Sequence, residues 1–141
     1  MIRLRVVEAC HFVCCGKGTT SSYYHEVKPS HLLPQPAQDF WKRNTLAPAE
    51  RAVVAFRKVP YGPEKLIGFF RYYEIENGIF AAGTWVSHHS RGKGIARRMW
   101  TKAITLEQPK RIEVTAVSTE GEHLVASIKA LYPGIVFDLN P

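Results

Sequence analysis

Trp85-Val86-Ser87-His88-His89-Ser90-Arg91-Gly92-Lys93-Gly94-Ile95-Ala96-Arg97-Arg98-Met99-Trp100 decides the reading of this chain. It closes a stretch, residues 79–86, that is apolar, partly aromatic and β-branched and that follows the turn dipeptide Asn77-Gly78, so a strand is predicted. It then opens an amphipathic helix, because Ile95, Met99, Ala103 and Leu106 share a face at spacings of four, four and three. Between strand and helix, Gly92 and Gly94 remove Cβ atoms where a ligand would approach the backbone. The helix that starts near Gly94 offers unpaired N–H groups and a partial positive charge. A diphosphate fits such a turn.

The same signals organise the sequence on either side. Residues 51–59 read as a strand, Pro60-Tyr61-Gly62-Pro63 as a turn, and residues 65–75 as an aromatic-rich strand with Phe69, Phe70, Tyr72 and Tyr73. The Asn77-Gly78 pair predicts a tight hairpin into the next strand, which gives three consecutive antiparallel strands. Pro109 ends the basic helix, and residues 111–117 alternate apolar and polar side chains as a strand. A parallel crossover is the natural connection across a helix of that length. Thr119-x-x-Glu122 is a capping box for a second helix with Leu124, Ile128 and Leu131 on one face. Pro133-Gly134 ends that helix, and residues 135–139 form a closing strand. The fold class is α/β (α+β): a mixed sheet, an antiparallel meander followed by β-α-β-α-β, with helices on both faces. Residues 16–44, with Pro29, Pro34 and Pro36, read as turns and irregular structure, apart from a short helix at 36–43 carrying Phe40 and Trp41.

Composition narrows the class. A chain of 141 residues, 45% hydrophobic and 22% charged, is expected to form one domain (1–141) with its own core. No run approaches the roughly 20 apolar residues that span a bilayer, and Arg3, Arg5, Glu8 and His11 interrupt any signal-like N-terminal segment. The expected location is the cytoplasm, with no membrane partner. Cys10, Cys14 and Cys15 form one odd cluster, which suits thiols and not a disulfide framework or a metal site. Gly16-Lys17-Gly18-Thr19 lacks the spacing of a phosphate-binding P-loop. Of the net charge of +7, residues 91–111 hold much: seven cations against Glu107 alone, a local charge of +6. Such a stripe suits a phosphorylated ligand or the backbone of a nucleic acid.

The pattern Arg91-x-x-Gly94-x-Ala96, set in this order of strands and helices, resembles the signature of the GNAT superfamily, the CoA-dependent N-acetyltransferases. The resemblance covers residues 51–139, and residues 1–50 match it poorly. It implies acetyl-CoA as the cofactor, with Arg91, Gly92, Lys93, Gly94, Ile95, Ala96 and Arg97 around the diphosphate and Trp85, Val86 and Ser87 along the pantetheine arm. The implied reaction is transfer of an acetyl group to a primary amine by direct attack on the thioester, with a backbone N–H near Val86 or Ser87 polarising the carbonyl.

Leu131-Tyr132-Pro133-Gly134 is similar to the late tyrosine segment of many relatives, and this makes Tyr132 the candidate general acid. A phenol suits the role because its ordinary pKa, about 10, is close to that of a thiol. His88 stands where many relatives have proline and places an imidazole near the mouth of the site. Two departures stand out: residues 78–86 contain no acid to serve as base, and Val125 stands where relatives often carry an asparagine. The resemblance leaves two other readings open: a catalytically degenerate binding protein, or an enzyme whose acceptor is linked to nucleic acid, such as aminoacyl-tRNA or a DNA base. A homodimer is compatible with each.

Overall fold

The computed structural model describes residues 2–14, 19–26, 50–58, 60–61, 65–115 and 118–140. Seven strands form one sheet: β1 (Ile2–Cys14), β2 (Thr19–Glu26), β3 (Glu50–Arg57), β4 (Lys65–Ile75), β5 (Gly78–Val86), β6 (Arg111–Thr115) and β7 (Val136–Asn140). Their order is β2-β1-β3-β4-β5-β6-β7. Pairing is antiparallel from β2 through β5 and parallel from β5 through β7. Helix α1 (Ile95–Glu107) connects β5 to β6, and α2 (Thr119–Leu131) connects β6 to β7. The meander and the β-α-β-α-β tail are as expected from the sequence.

The N-terminal part differs from expectation. A long β1 and its partner β2 occupy residues read as unassigned or irregular, while residues 36–43 lie outside those described. The missed signal is the alternation of Ile2, Leu4 and Val6 with Arg3 and Arg5. These three apolar side chains pack on the core, as a half-buried strand requires.

Both described helices bury their apolar faces in one core cluster with β3 to β6. From α1 it takes Ile95, Met99, Trp100, Ala103 and Ile104, and from α2 it takes Val125 and Ile128. Each fully buried aliphatic side chain contributes about 1.5–3 kcal/mol by leaving water, more than a typical hydrogen bond. The α2 face is rotated from the one the spacing suggested. Val125 and Ile128 point to the sheet, Leu124 lies beside them, and Leu131 is left 56% exposed. The cap also shifts by one residue. Ser118 is the N-cap, its Oγ accepting from the Gly121 N–H at 3.1 Å, and Thr119 is already helical.

At the far end of α1, Arg51 and the hydroxyl of Tyr72 both donate to Glu107 Oε1. Burial first, and then the Glu107 carboxylate, push the Tyr72 phenol well above its usual range. The hydroxyl is therefore a fixed proton donor that ties the C-terminal end of α1 to β4.

The hairpin between β4 and β5 turns through Glu76-Asn77, with Ile75 opposite Gly78 and Asn77 at φ +61°. The turn is therefore displaced by one residue from the dipeptide that signalled it. Gly78 is needed for a different reason: a Cβ there would lie 1.8 Å from the Arg111 carbonyl oxygen of β6. Gly78→Ala is therefore expected to destabilise the protein by more than about 2 kcal/mol. Urea unfolding measures this, and an unchanged midpoint would mean that β6 does not approach β5 so closely.

Candidate functional site

The site is built on a divergence in the sheet. β5 pairs with β6 only from Gly78 to Ala81, and the β4–β5 register then shifts so that Ala82 is an extra residue in β5. Such a bulge bends its strand and switches which side chains face which way. Before it, Ile79 and Ala81 face the core. After it, Thr84 faces α1, accepting a hydrogen bond from the buried Trp100 Nε1 at 2.9 Å, and Trp85 points to the other side.

The consequence for the backbone follows from the hydrogen-bond pattern. The Ser87 N–H donates to the Ile67 carbonyl at 2.8 Å, while Val86 stands opposite Gly68. In an antiparallel pair this makes Val86 and, two residues earlier, Thr84 the positions whose backbone groups point away from β4. They point to the side that β6 has left. Of the two amides expected to polarise a carbonyl, Ser87 is therefore committed to β4, and Val86 faces the opening. The Val86 carbonyl accepts from Arg91 Nε at 3.0 Å, which fastens the following loop to the strand.

A single 3₁₀ turn, His88–Ser90, leads into that loop, with Ser90 buried beneath it. Gly92 and Gly94 have φ of +76° and +75°, a region that residues with a Cβ seldom adopt. Among the described residues, no atom lies within 4 Å of a Cβ at Gly92, and only the Arg97 guanidinium, at 3.9 Å, lies near one at Gly94. The loop is thus concave and open. Gly94 is the N-cap of α1 and supplies no side-chain cap, and the first turn of α1 holds no acid. The first amides of α1 consequently remain available to an anion, with Arg91, Lys93, Arg97 and Arg98 exposed around them.

A cleft of about 710 Å³ joins these parts. Its walls include Thr84, Trp85 and Val86 of β5, the loop from Ser90 to Gly94 without Lys93, and Ile95, Ala96 and Arg97 of α1. Of the residues expected at the cofactor from sequence, Ser87 and Lys93 are the two that do not line it. The opposite wall departs from expectation: Ser118 and, on α2, Glu120, His123, Leu124 and Ser127 line the cleft as well. Their spacing of three, one and three is a helical stripe, legible once α2 is known to face the opening. Val125 lies off that stripe and is buried, so Ser127 is the hydroxyl that this helix turns to the cleft.

Tyr132 is the C-cap of α2, half-buried and packed against the core, and it does not line the cleft. His88 is exposed beside the loop, its ring edge-on to His89 with centroids 5.6 Å apart, and it too lies outside the cleft lining. Among the described residues no group of three His, Cys, Asp or Glu is placed to hold a metal ion, and no helix is long and apolar enough to cross a membrane. Cys15 and the side chains of Cys10 and Cys14 lie outside those described.

The family model of the acetyltransferase (GNAT) family matches residues 19–129, reaching further towards the N-terminus than the motif-bearing half. No curated protein matches the chain in sequence. Among solved structures the chain is similar to nourseothricin acetyltransferase, with a TM-score of 0.45 and 19% identity over 95% of this chain and 79% of that one. It is also similar to a protein described as a streptothricin acetyltransferase from Bacillus anthracis str. Ames, solved in complex with acetyl coenzyme A. There the TM-score is 0.35 and the identity 13%, over 74% of this chain and 56% of that one, so this chain spans about half the length of that relative. With the family model matched over most of its length, the chain belongs to the acetyltransferase (GNAT) family.

Proposed function

We propose that this protein is an N-acetyltransferase that moves an acetyl group from acetyl-CoA, the donor its family uses, to a primary amine. The observation that carries the reading is the pairing of an unzipped edge of β5, at Thr84 and Val86, with a concave glycine turn at the head of α1. The two features suit the two halves of one ligand, an extended arm and a diphosphate.

The residues present fit the cofactor. Gly92 and Gly94 leave a cradle that a Cβ would begin to fill, the α1 amides face it, and the surrounding side chains are cationic. Arg91 and Arg97 supply charge from the loop side, and Lys93 extends it at the rim. The backbone edge at Thr84 and Val86 can pair with an amide-bearing arm as a neighbouring strand would, and Ser118, the N-cap of α2, and Ser127 line the opposite wall. When bound, acetyl-CoA supplies an acetyl thioester, an electrophile that a neutral amine attacks.

The chain's part in the chemistry is modest and well defined. The Val86 N–H is a fixed donor pointing into the opening, suited to an oxygen that gains negative charge, and a donor of this kind needs no reorganisation. Tyr132 Oη holds the proton that the departing sulfur requires. His88, exposed beside the loop, accepts the proton that the amine gives up and passes it to water. Residues 78–86 carry no acid, and solvent is the second acceptor for that proton.

The direct test is turnover of acetyl-CoA by the purified protein against a panel of primary amines, including aminoacyl-tRNA. Acetylated product would establish the reaction, and its absence across the panel with cofactor bound would leave a cofactor-binding protein. Two variants sharpen it. Gly94→Glu puts a carboxylate into the cradle and is expected to weaken CoA binding more than about 100-fold by calorimetry; normal binding would place the cofactor elsewhere. Tyr132→Phe is expected to lower kcat by about 100-fold with the Kd for CoA unchanged, and full turnover would remove Tyr132 from the reaction.

A further inference from the structure

The cationic stripe of the sequence divides in two in the structure. Arg91 and Arg97 line the cleft beside the glycine turn, whereas Arg98 and Lys102 lie outside its lining. Lys102 is eight residues beyond Gly94, about 12 Å along the axis of α1, so a diphosphate seated in the turn does not account for it.

α1 packs inward through Ile95, Met99, Ala103 and Ile104, which turns Arg98, Thr101, Lys102 and Thr105 to its outer side. Arg98, Lys102 and Thr105 are exposed there, and Thr101 is half-buried. At spacings of four these residues make two neighbouring rows, a cationic one of Arg98 and Lys102 and a hydroxyl one of Thr101 and Thr105.

The charges of this face do not serve the helix. The helix dipole favours acids in the first turn and cations in the last, and α1 has the reverse. Arg97 and Arg98 stand in its first turn, which holds no acid, and its only acid, Glu107, ends it. Glu107 is turned away from the outer face, to Arg51 and Tyr72. Arg98 and Lys102 also repel one another across one turn. The ion pairs of the described cations engage Arg51, Arg71 and Arg111, and among the described residues no carboxylate pairs with Arg98 or Lys102.

Charges that cost the helix and have no carboxylate beside them are explained by a partner outside the chain. An uninterrupted row of one sign suits a polymer whose every repeat is an anion, a nucleic acid backbone. The outer side of α1 carries no aromatic ring on which the bases of a single strand could stack, which favours a double helix. The hydroxyl row chooses the sugar. Thr101 Oγ1 donates to the Arg97 carbonyl at 2.8 Å, and Thr105 Oγ1 donates to the Thr101 carbonyl at 2.9 Å. With their protons committed, both hydroxyls are left as acceptors. A phosphate oxygen only accepts and cannot pair with them, whereas a ribose 2′-hydroxyl donates and can.

We propose that the outer face of α1 docks double-helical RNA, with Arg98 and Lys102 on backbone phosphates and Thr101 and Thr105 accepting from 2′-hydroxyls. The wide, shallow minor groove of an RNA helix displays both groups together. The inference goes beyond the acetyl-transfer reading and does not depend on it.

Fluorescence anisotropy of a labelled RNA duplex with the full chain, with and without saturating CoA, tests it. The protein is expected to bind the RNA with an affinity that falls as salt rises, and at least about fivefold more tightly than a DNA duplex of the same sequence. Lys102→Glu is expected to weaken RNA binding at least about tenfold, with CoA affinity and the unfolding midpoint unchanged. Thr101→Val combined with Thr105→Val keeps the shape of both side chains and is expected to erase the preference for RNA while DNA affinity stays the same. No RNA binding, equal affinity for the two duplexes, or binding indifferent to Lys102→Glu would overturn the proposal. Displacement of RNA by CoA would place it in the glycine turn, and stronger competition by polyglutamate than by unlabelled RNA would assign the face to an acidic protein; either result contradicts the proposal.

Discussion

The site depends on the loss of pairing between β5 and β6 beyond Ala81. Four residues of parallel ladder hold the two strands together at their lower ends, and the extra residue at Ala82 then turns β5 out of register with that ladder. Buried backbone groups must find partners. The upper part of β5 satisfies one edge through β4 and leaves the other, at Thr84 and Val86, facing the cleft. An unzipped edge of this kind is a binding surface because its geometry is already that of a strand awaiting a neighbour. Gly78 makes the closed end possible by letting the Arg111 carbonyl pass where a Cβ would stand.

The surrounding core keeps that opening in place. Trp100 stacks on Phe70 with ring centroids 4.5 Å apart and donates to Thr84, so the helix that offers its N-terminus to the cleft is locked to the strand that offers its edge. Met99 lies close to Gly68, where a Cβ would press on both its Cε and the Trp85 carbonyl. At the other end, Glu107 takes Arg51 and the Tyr72 hydroxyl, so α1 is anchored along its length. Arg91 ties the loop back to Val86. The cradle and the strand edge are therefore fastened to one another, and pre-organisation of this kind reduces the ordering cost of binding.

Much of this is legible in the sequence, and the failures have physical causes. The strand, the glycine turn and α1 can be read because their signals are local: β-branched and aromatic runs, a pair of glycines, a helical stripe. The β1–β2 pair is harder because Thr19 to Tyr24 is polar and lacks alternation, although Ile2, Leu4 and Val6 signal β1 plainly. Asn77-Gly78 marks the hairpin one residue late, since Gly78 is selected by Arg111 on a distant strand and not by the turn. The Ala82 bulge is invisible in sequence, where Ala81-Ala82-Gly83 reads as small residues in a continuous strand. Without the bulge, Trp85 would be assigned to the core and the Val86 amide would have no particular direction. The α2 wall of the cleft shares this origin: Glu120, His123 and Ser127 become site residues only because α2 packs through Val125 and Ile128 instead of Leu124 and Leu131.

The central claim is that one ligand occupies both the unzipped β5 edge and the glycine turn. Amide hydrogen exchange on the full chain, with and without CoA, tests it most directly. The account predicts that CoA slows exchange at Thr84 and Val86 together with the amides from Gly92 to Arg97, while Ser87, already bonded to Ile67, changes little. Protection confined to the turn, or found elsewhere with β5 unchanged, would contradict it.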